Sequence, residues 1–367
     1  MAKVLPVKLD GKVIYEIRLS DSFDGLSEQL KALGYTAEQK ICIISDTNVF
    51  KLYGDTVANE LNKIFPSVFH YVFPAGEASK NTDTVGKVYQ YLIEEHFDRH
   101  DLLIALGGGV VGDLTGFAAA TYLRGIDFIQ VPTSLLSQVD SSIGGKTGVD
   151  FMQYKNMVGA FYQPKLVYMN LSVLNSLPKE QLVSGFGEIL KHGLIKDISY
   201  FTWMNEHYND ILSLDYPTLE TMIYKSCEIK RDVVERDPKE MGERALLNFG
   251  HTIGHAIEKL SDFKLSHGVC VGLGTVAASY ISMKKGDICE ADLHFIEETL
   301  SHFGLLTRVT DTYPAKKILD TTKLDKKMVG NKIKFILLKT PGDAYIYKNL
   351  TDEQILEGIL YVYGNEK

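Results

Sequence analysis

The chain has 367 residues, 45% of them hydrophobic, and carries a formal net charge of -8. This much apolar material can build a large core, and the length exceeds that of one ordinary domain, so two domains are expected. An acidic chain without a block of basic residues is a poor candidate for nucleic-acid binding. Charged residues or glycine interrupt every apolar run before it reaches membrane-spanning length. We therefore expect neither a nucleic-acid partner nor a membrane segment.

The cysteines indicate a reducing compartment. They are widely spaced and form no CxxC pair, which argues against a thiolate metal site and against a disulfide scaffold. The first residues include no long apolar stretch of the kind that a secretory signal requires. We therefore expect a cytoplasmic protein whose cysteines stay reduced: Cys42, Cys227, Cys270 and Cys289.

The first half of the chain alternates short apolar runs with amphipathic stretches. Such alternation predicts a parallel sheet covered by helices. A helix is predicted over residues 82–96. The predicted strands are residues 41–45, 67–73, 102–106, 128–131 and 166–169.

The second half carries mostly helical periodicity. One exception is a predicted β-hairpin, residues 332–338 and 344–347, divided by the turn sequence TPGD. The chain is thus divided into an α/β domain, residues 1–172, and a mainly α-helical domain, residues 173–367. The predicted helices are residues 180–195, 218–235, 245–260, 269–284 and 290–303.

A glycine-rich turn, GGGVVG at residues 107–112, follows the predicted strand 102–106. Asp113 is predicted to open the next helix. Glycines here let the backbone approach a pyrophosphate, and the helix N-terminus supplies N–H groups, although a tight turn without a ligand would use the same residues. Asp46 and Asn48, at the end of another strand, are better placed than Asp127 to contact a ribose or nicotinamide.

Two imidazoles and a carboxylate suggest a metal site. His251 and His255 lie four residues apart, so on a helix both point the same way. His267 follows in a predicted loop, and Glu188 lies upstream on a helix. One carboxylate and two imidazoles can hold a catalytic zinc with open positions. The spacing does not choose between His251 and His255, and a solvated helix face carrying two histidines is the alternative.

Several cations lie beside glycine, asparagine or serine rather than in charge runs. The stretch DSSIGGKT, residues 140–147, is short, polar and glycine-rich, and predicts a loop that wraps an anion. Such a set suits a substrate with a phosphate and a carboxylate, whereas any single member could be an ordinary surface residue. The cations are Arg124, Lys146, Lys155, Lys191, Lys230 and Arg244, with Asn156 and Asn248 nearby.

In their order along the chain these segments resemble the 3-dehydroquinate synthase family. The resemblance runs from about residue 46 to residue 327. It implies a Rossmann-like, NAD-binding domain and a mainly α-helical metal- and substrate-binding domain, with the active site in the cleft between them. The matching motifs are residues 107–116, TYLRG at 121–125, QVPTSLL at 130–136, 139–147, 155–156, GEILK at 187–191, LNFGHTIGH at 247–255, SHG at 266–268 and DKK at 325–327.

The resemblance implies roles for individual residues. Glu188, His251 and His267 would bind zinc, or cobalt as its substitute, whereas His255 would handle a proton or contact phosphate. Catalytic roles would fall to Lys146, Lys191, Arg244 and His255. Substrate contacts would come from Arg124, Asp140, Lys146, Asn156, Lys191, Lys230, Arg244, Asn248, His255 and either Lys326 or Lys327. The NAD site would comprise Asp46, Asn48, Glu77, Lys80, Gly108, Gly109, Val110, Asp113, Thr133, Ser134, Lys146, Lys155, Val173 and Ser176.

The reaction that the resemblance implies converts 3-deoxy-D-arabino-heptulosonate 7-phosphate into 3-dehydroquinate and phosphate. NAD would oxidise the substrate transiently, so that the neighbouring C–H becomes acidic and phosphate leaves. NADH would then return the hydride, and an intramolecular aldol step would close the ring. The resemblance also implies a homodimer, in which Arg124 reaches the neighbour's site.

Three alternative functions would each show a different set of site residues or a different use of NAD. A sister sugar-phosphate cyclase making another ring would lose part of the carboxylate-contacting set, yet Lys230, Arg244 and Asn248 are present. A zinc-dependent polyol dehydrogenase would need no phosphate cluster and would consume NAD stoichiometrically. A non-catalytic NAD-binding protein would be expected to have lost a metal ligand.

Overall fold

A computed structural model describes residues 3–152, 154–262, 264–309, 314–324 and 334–363. The chain divides into two compact units, Met1–Leu177 and Pro178–Lys367. The division after residue 172 stays a prediction. None of the helices in the described ranges combines the length and apolar character needed to cross a bilayer.

The first unit alternates strands and helices. Its elements are β1 (Lys3–Leu9), β2 (Lys12–Ser20), α1 (Leu26–Ala32), β3 (Ile41–Asp46), α2 (Thr47–Asn62), β4 (Val68–Phe73), α3 (Thr82–Glu94), β5 (Leu102–Gly107), α4 (Gly109–Thr121), β6 (Asp127–Pro132), β7 (Lys146–Phe151), β8 (Tyr154–Phe161) and β9 (Leu166–Asn170). The strands and the helix predicted from the sequence appear at their expected positions, with ends that differ by up to two residues.

The main sheet of this unit has the order β1-β2-β9-β6-β5-β3-β4. β1 and β2 pair antiparallel, and every other neighbouring pair is parallel. Side chains of β3 alternate between two apolar cores: Ile41 and Ile43 belong to one, and Cys42 and Ile44 to the other. Such burial on both faces is what makes parallel strands read as continuous apolar runs. The predicted parallel sheet is therefore confirmed.

The strand order places a topological switch point between β3 and β5. From β3 the chain adds β4 on one side, and then β5, β6 and β9 on the other. In open α/β sheets, ligands bind at such a point, beyond the carboxyl ends of the strands. The helix after β5 begins at Gly109, not at Asp113 as predicted, so Asp113 lies in its second turn.

Strands β7 and β8 form a separate hairpin that the sequence did not predict. Residues 140–147 were expected to form an anion-wrapping loop. Residues 142–145 do form a loop, between a π-helical turn over Ser137–Ser141 and Lys146, which begins β7. Binding of an anion there stays a prediction. The hairpin backbones pass closely, because a Cβ on Gly148 would lie 2.7 Å from the Val158 carbonyl oxygen.

The second unit is mainly helical, as predicted. Its elements are α5 (Lys179–Lys196), α6 (Ile198–Glu206), α7 (Tyr208–Leu212), α8 (Tyr216–Arg236), α9 (His251–Leu260), α10 (His267–Lys284), α11 (Glu290–His302), α12 (Ala315–Leu324), β10 (Phe335–Thr340), β11 (Asp343–Tyr347) and α13 (Asp352–Tyr363). β10 and β11 form the predicted antiparallel hairpin. The predicted start of its first strand, Lys332, lies outside the described residues. Helix α10 is buried around most of its circumference and packs against α5, α9 and α13.

One predicted helix is wrong in its extent. Residues 245–260 do not form a single helix: a 3-10 turn covers Glu243–Asn248, and α9 begins at His251. The break falls at Gly250, which has a left-handed φ of 78°. A Cβ there would lie 2.7 Å from Thr275 Oγ1 on α10, so the close approach of α10 requires glycine.

His267 also differs from expectation, because it is the first residue of α10 rather than part of a loop. The next residue, Gly268, touches the Ser184 carbonyl of α5 so closely that a Cβ would collide with it. His251 and His267 therefore both lie at helix starts, and α10 is held directly against the helix that carries Glu188.

Candidate active site

Glu188 lies at the centre of the polar cluster in the second unit. Its side chain is 1% exposed, and its Oε1 lies 3.4 Å from Nε2 of His251 and 3.4 Å from Nε2 of His267. Its Oε2 accepts a hydrogen bond from Nζ of Lys191, one turn further along α5. Within the described part of the chain, Oε1 has no hydrogen-bond partner. A buried carboxylate oxygen that lacks a donor and faces two imidazole nitrogens is a position suited to a cation.

The other ring nitrogen of each imidazole already has a partner. Nδ1 of His251 lies 3.1 Å from the Phe249 carbonyl oxygen, and Nδ1 of His267 lies 3.2 Å from Oε2 of Glu258. When Nδ1 donates its proton to such an acceptor, Nε2 keeps a lone pair for a metal ion. Glu188, His251 and His267 thus present one oxygen and two nitrogens that fit a zinc-type ion.

His255 lies in the same cluster, one turn after His251 on α9. Ring nitrogens of His251, His255 and His267 lie within 4.8 Å of one another. The ring centroids of His255 and His267 are 5.6 Å apart. The 3.4 Å contact between His251 and Glu188 favours His251 as the ligand. The choice between the two histidines stays a prediction.

The cluster is electrostatically coupled. Burial would raise the pKa of Glu188, but Lys191 and the two imidazoles outweigh it and hold that pKa well below its usual range. Burial and the charge of Lys191 lower the pKa of His251. For His267, burial is outweighed by the nearby carboxylates of Glu188 and Glu258, which raise its pKa to about 10. The carboxylates of Glu188 and Glu258 both lie within 3.4 Å of the His267 ring.

A cavity of about 290 Å³ opens beside the histidines. Three of its lining residues, Asn248, His251 and His255, were predicted as site residues. Glu240 was missed: it accepts a 2.8 Å hydrogen bond from Nδ2 of Asn248 and adopts a left-handed φ of 57°. Its only sequence signal is its place in the polar stretch before the LNFGH motif. The lining comprises Glu240, Ala245, Asn248, His251, Thr252, His255, Thr322, Lys334 and Ile336.

Arg244 is held by the loop that precedes it. Its side chain is buried, and Nη1 donates a 2.6 Å hydrogen bond to the Pro238 carbonyl oxygen. The Asp237 carboxylate, also missed from the sequence, accepts hydrogen bonds from the backbone N–H groups of Met241 (2.8 Å), Gly242 (2.7 Å) and Arg244 (3.0 Å). Asp237 thus fixes the loop that precedes Arg244.

Two predicted lysines of this unit are buried. Lys191 on α5 is 1% exposed and Lys230 on α8 is 5% exposed. Lysine is almost never buried to this degree without a partner, so these two differ from ordinary surface cations. Asn248, by contrast, is exposed. Lys326 lies outside the described residues.

In the first unit, predicted NAD-site residues gather at the carboxyl edge of the sheet. Asp46 ends β3 and caps α2 by accepting the N–H groups of Asn48 and Val49. The glycine turn joins β5 to α4, and a Cβ on Gly108 would lie 3.6 Å from Ser134 Oγ. Thr133 and Ser134 follow β6, Val110 lies in the first turn of α4, and Val173 and Ser176 lie in the 3-10 turn after β9.

A buried ion pair lies beside this edge. Nζ of Lys80 donates to Oδ2 of Asp113 at 2.7 Å and to Oδ1 of Asn156 at 2.6 Å. Burial opposes the charge of Lys80, but Asp113 outweighs it, so the pKa of Lys80 is raised. Glu77 adds negative charge nearby. Lys80 therefore contacts two side chains with different predicted roles. Asp113, like Lys80 itself, was predicted for the NAD site, and Asn156 was predicted to contact substrate.

The remaining predicted residues of this unit lie on other segments, and the turn that carries Asp140 touches the glycine turn, because a Cβ on Gly109 would lie 3.3 Å from Ser141 Oγ. Arg124 is exposed after α4 and has a left-handed φ of 68°. Lys146 and Lys155 are exposed on the β7–β8 hairpin, and Asp140 lies in the π-helical turn before it. Their roles stay predictions.

Comparison with known proteins identifies the family to which the chain is similar. Residues 70–184 match the family described as 3-dehydroquinate synthase N-terminal, and residues 185–328 match 3-dehydroquinate synthase C-terminal. The 3-dehydroquinate synthase of Acetivibrio thermocellus is 41% identical over 95% of this chain and 96% of its own. That of Rippkaea orientalis is 42% identical over 97% of both chains. The solved structure of 2-deoxy-scyllo-inosose synthase complexed with carbaglucose-6-phosphate, NAD+ and Co2+ has a TM-score of 0.87 at 25% identity, covering 98% of this chain and 99% of its own. The chain belongs to the 3-dehydroquinate synthase family.

Proposed function

We infer that this chain converts 3-deoxy-D-arabino-heptulosonate 7-phosphate into 3-dehydroquinate and phosphate. This is a lyase step of the shikimate pathway, which leads to chorismate and the aromatic amino acids. Identity of about 41% across nearly the whole chain supports the assignment. The structural observation that carries it is the buried Glu188 oxygen facing two imidazole nitrogens at 3.4 Å.

The cofactors that fit are NAD and a zinc or cobalt ion. NAD would bind at the switch point between β3 and β5, where the glycine turn meets the N-terminus of α4. The structural relative complexed with NAD+ and Co2+ supports both groups. When bound, NAD supplies a reversible hydride acceptor, and the divalent ion supplies a Lewis acid that polarises the oxygen on the oxidised carbon.

We propose Glu188, His251 and His267 as the metal ligands. One carboxylate and two imidazoles leave coordination positions open for substrate oxygens. His255, one helical turn from His251, would exchange a proton with substrate or contact its phosphate. The second nitrogen of each ligating ring is engaged by Phe249 or Glu258, which supports Nε2 as the ligand atom.

The substrate's anionic groups would be held by the buried cations. Lys191, Lys230 and Arg244 supply positive charge at fixed positions, and the guanidinium of Arg244 suits a carboxylate. Asn248, held by Glu240, would add a polar contact. The substrate's own phosphate can serve as the base, so no dedicated carboxylate base is required. Catalysis would then rest on positioning and on charge stabilisation. Further substrate contacts are proposed for Arg124, Asp140, Lys146 and Asn156.

A homodimer is proposed, in which Arg124 reaches the neighbour's site. The β7–β8 hairpin supports an interface because it exposes a set of large apolar side chains. Exposed apolar patches of this kind often mark protein–protein contacts. These are Phe151 (44% exposed), Met152 (80%), Tyr154 (53%), Met157 (50%) and Phe161 (55%). Full activity of a monomer at assay concentration would contradict this. A cytoplasmic location is also proposed, supported by four free cysteines.

Phosphate release tests the function. The protein should release one phosphate for each heptulosonate phosphate consumed. Phosphate release should stop when a chelator removes the metal and should resume when zinc or cobalt is returned. NAD should be needed only in catalytic amount. Net accumulation of NADH would contradict the proposal and favour a dehydrogenase, and release that persists at full rate without metal would contradict the metal site.

A further inference from the structure

We propose that Glu258 is a positioning residue that orients His267 and thereby sets the affinity of the metal site. The inference rests on the metal site of the proposed function. Glu258 lies near the end of α9, is 8% exposed, and places Oε2 3.2 Å from Nδ1 of His267. No role was predicted for this residue from the sequence.

The geometry assigns one task to each ring nitrogen of His267. Nδ1 faces Glu258 at 3.2 Å, and Nε2 faces Oε1 of Glu188 at 3.4 Å. A carboxylate acceptor keeps the proton on Nδ1, so that Nε2 is the nitrogen left to bind a metal ion. Without Glu258 the ring could adopt the other tautomer or rotate. The nitrogen facing Glu188 would then no longer reliably offer its lone pair to a metal ion.

His267 needs such a partner more than His251 does. The side chain of His267 is 28% exposed and that of His251 is 13% exposed. His251 is also oriented by a backbone carbonyl, that of Phe249, which lies in the break before α9. The orientation of His267 depends instead on a side chain, and a side chain can be replaced without altering the backbone.

Helix α9 explains how Glu258 reaches this position. His251, His255 and Glu258 follow one another at intervals of four and three residues, so they share one face of the helix. That helix packs directly against α10, which carries His267. A buried carboxylate is costly unless it is paired, and the imidazole of His267 supplies a pairing group.

Metal affinity of the purified protein tests the proposal. Apparent Kd values for Co²⁺ and Zn²⁺ would be measured by competition with a chromogenic chelator, for wild type, Glu258→Ala and Glu258→Gln. Removing a carboxylate that orients a ligating imidazole typically weakens metal binding by about 10–100-fold, and we expect this for Glu258→Ala. Glu258→Gln should lose less, because its amide oxygen can still accept the Nδ1 proton.

The control is Glu60→Gln. Glu60 is also a buried carboxylate, 4% exposed, but it lies in the first unit and pairs with Ser27 and Lys63. It should leave metal affinity unchanged. Melting of metal-free protein, followed by the rise in Tm on adding metal, separates stability from binding. A full metal-induced rise in both Glu258 variants, or unchanged Kd values, would overturn the proposal and leave Glu258 a structural residue.

Failure of the metal site itself would give a different result. Glu188→Gln should weaken binding in the same assay. If wild type and Glu188→Gln bound Co²⁺ equally, the ligand set would be wrong and the positioning role would fall with it. If Glu188→Gln lost binding and both Glu258 variants kept it, only the role of Glu258 would be refuted. Should Glu258→Ala fail to fold, Glu258→Gln must still bind more weakly than wild type for the proposal to stand.

Discussion

Replacing Asp237 by alanine tests whether the loop before the 3-10 turn holds Arg244 in place. The Asp237 carboxylate accepts three backbone N–H groups, those of Met241, Gly242 and Arg244. Arg244 in turn donates from Nη1 to the Pro238 carbonyl oxygen of the same loop. Removing the carboxylate should therefore loosen the loop and the guanidinium together.

The size of the effect follows from the exposure of each donor. Arg244 is 2% exposed, so its N–H would be left buried without a partner, at a cost of about 1–3 kcal/mol. Met241 is 84% exposed, and the neighbouring Gly242 is also exposed, so water can replace those two bonds at about 0.5 kcal/mol each. We expect the free energy of unfolding to fall by about 2–4 kcal/mol. A misplaced guanidinium would also forfeit a charge-assisted substrate contact of about 1.5–3 kcal/mol, which is roughly a 10- to 150-fold loss in kcat/KM.

Urea unfolding and steady-state kinetics with the heptulosonate phosphate measure the two effects. Asp215→Ala is the matched control, because Asp215 caps the start of α8 through Thr218, whereas Asp237 follows the end of the same helix. Loss of that cap should cost about 1 kcal/mol of stability and leave kcat/KM unchanged. If Asp237→Ala lost stability but kept kcat/KM, the loop would not position Arg244, and the reasoning would be refuted.

Four further predictions concern the same two units. Glu188→Gln should release the metal and abolish phosphate elimination, whereas metal content equal to wild type by elemental analysis would contradict its role as a ligand. Gly250→Ala should destabilise the protein by at least about 1–2 kcal/mol in urea unfolding, because φ is 78° and a Cβ would lie 2.7 Å from Thr275 Oγ1; an unchanged midpoint would refute this. Backbone N–H groups outweigh burial and lower the pKa of Asp237, so the stability that it adds is present above its unfolded-state pKa and lost as pH falls through its folded pKa. The stability gap between wild type and Asp237→Asn should thus shrink in acid below about pH 5, and a constant gap would exclude this linkage. Lys80→Met should weaken NAD binding in calorimetry by leaving Asp113 without its partner, and equal affinity would remove Lys80 from the NAD site.

The parts of the fold that the sequence predicted are those with a strong local signal. Strands β3 and β5 are buried on both faces and therefore read as unbroken apolar runs. Strand β8 carries exposed apolar side chains that do not alternate with polar ones, so no strand pattern marks it. The break at Gly250 was missed because helical periodicity continues across it. The left-handed turn is required by the approach of α10, which local sequence does not reveal.

The candidate site, too, could be predicted from the sequence only in part. Histidine and glutamate motifs predicted which side chains could meet, and the structure brings Glu188 within 3.4 Å of His251 and of His267. Spacing could not supply the orientation of the rings. The partners that fix their orientation, the Phe249 carbonyl and Glu258, become visible only when α9 and α10 are packed together. Asp237 was missed for a similar reason, since its role is to accept backbone N–H groups.

The hydrogen bond between Lys191 and Glu188 has a consequence for coordination chemistry. Because the ammonium group occupies Oε2, the carboxylate would offer only Oε1 to a metal ion. The fewer atoms the protein supplies, the more coordination positions would stay open to substrate oxygens. Through this hydrogen bond, Lys191 would help to keep room for substrate at the proposed metal site.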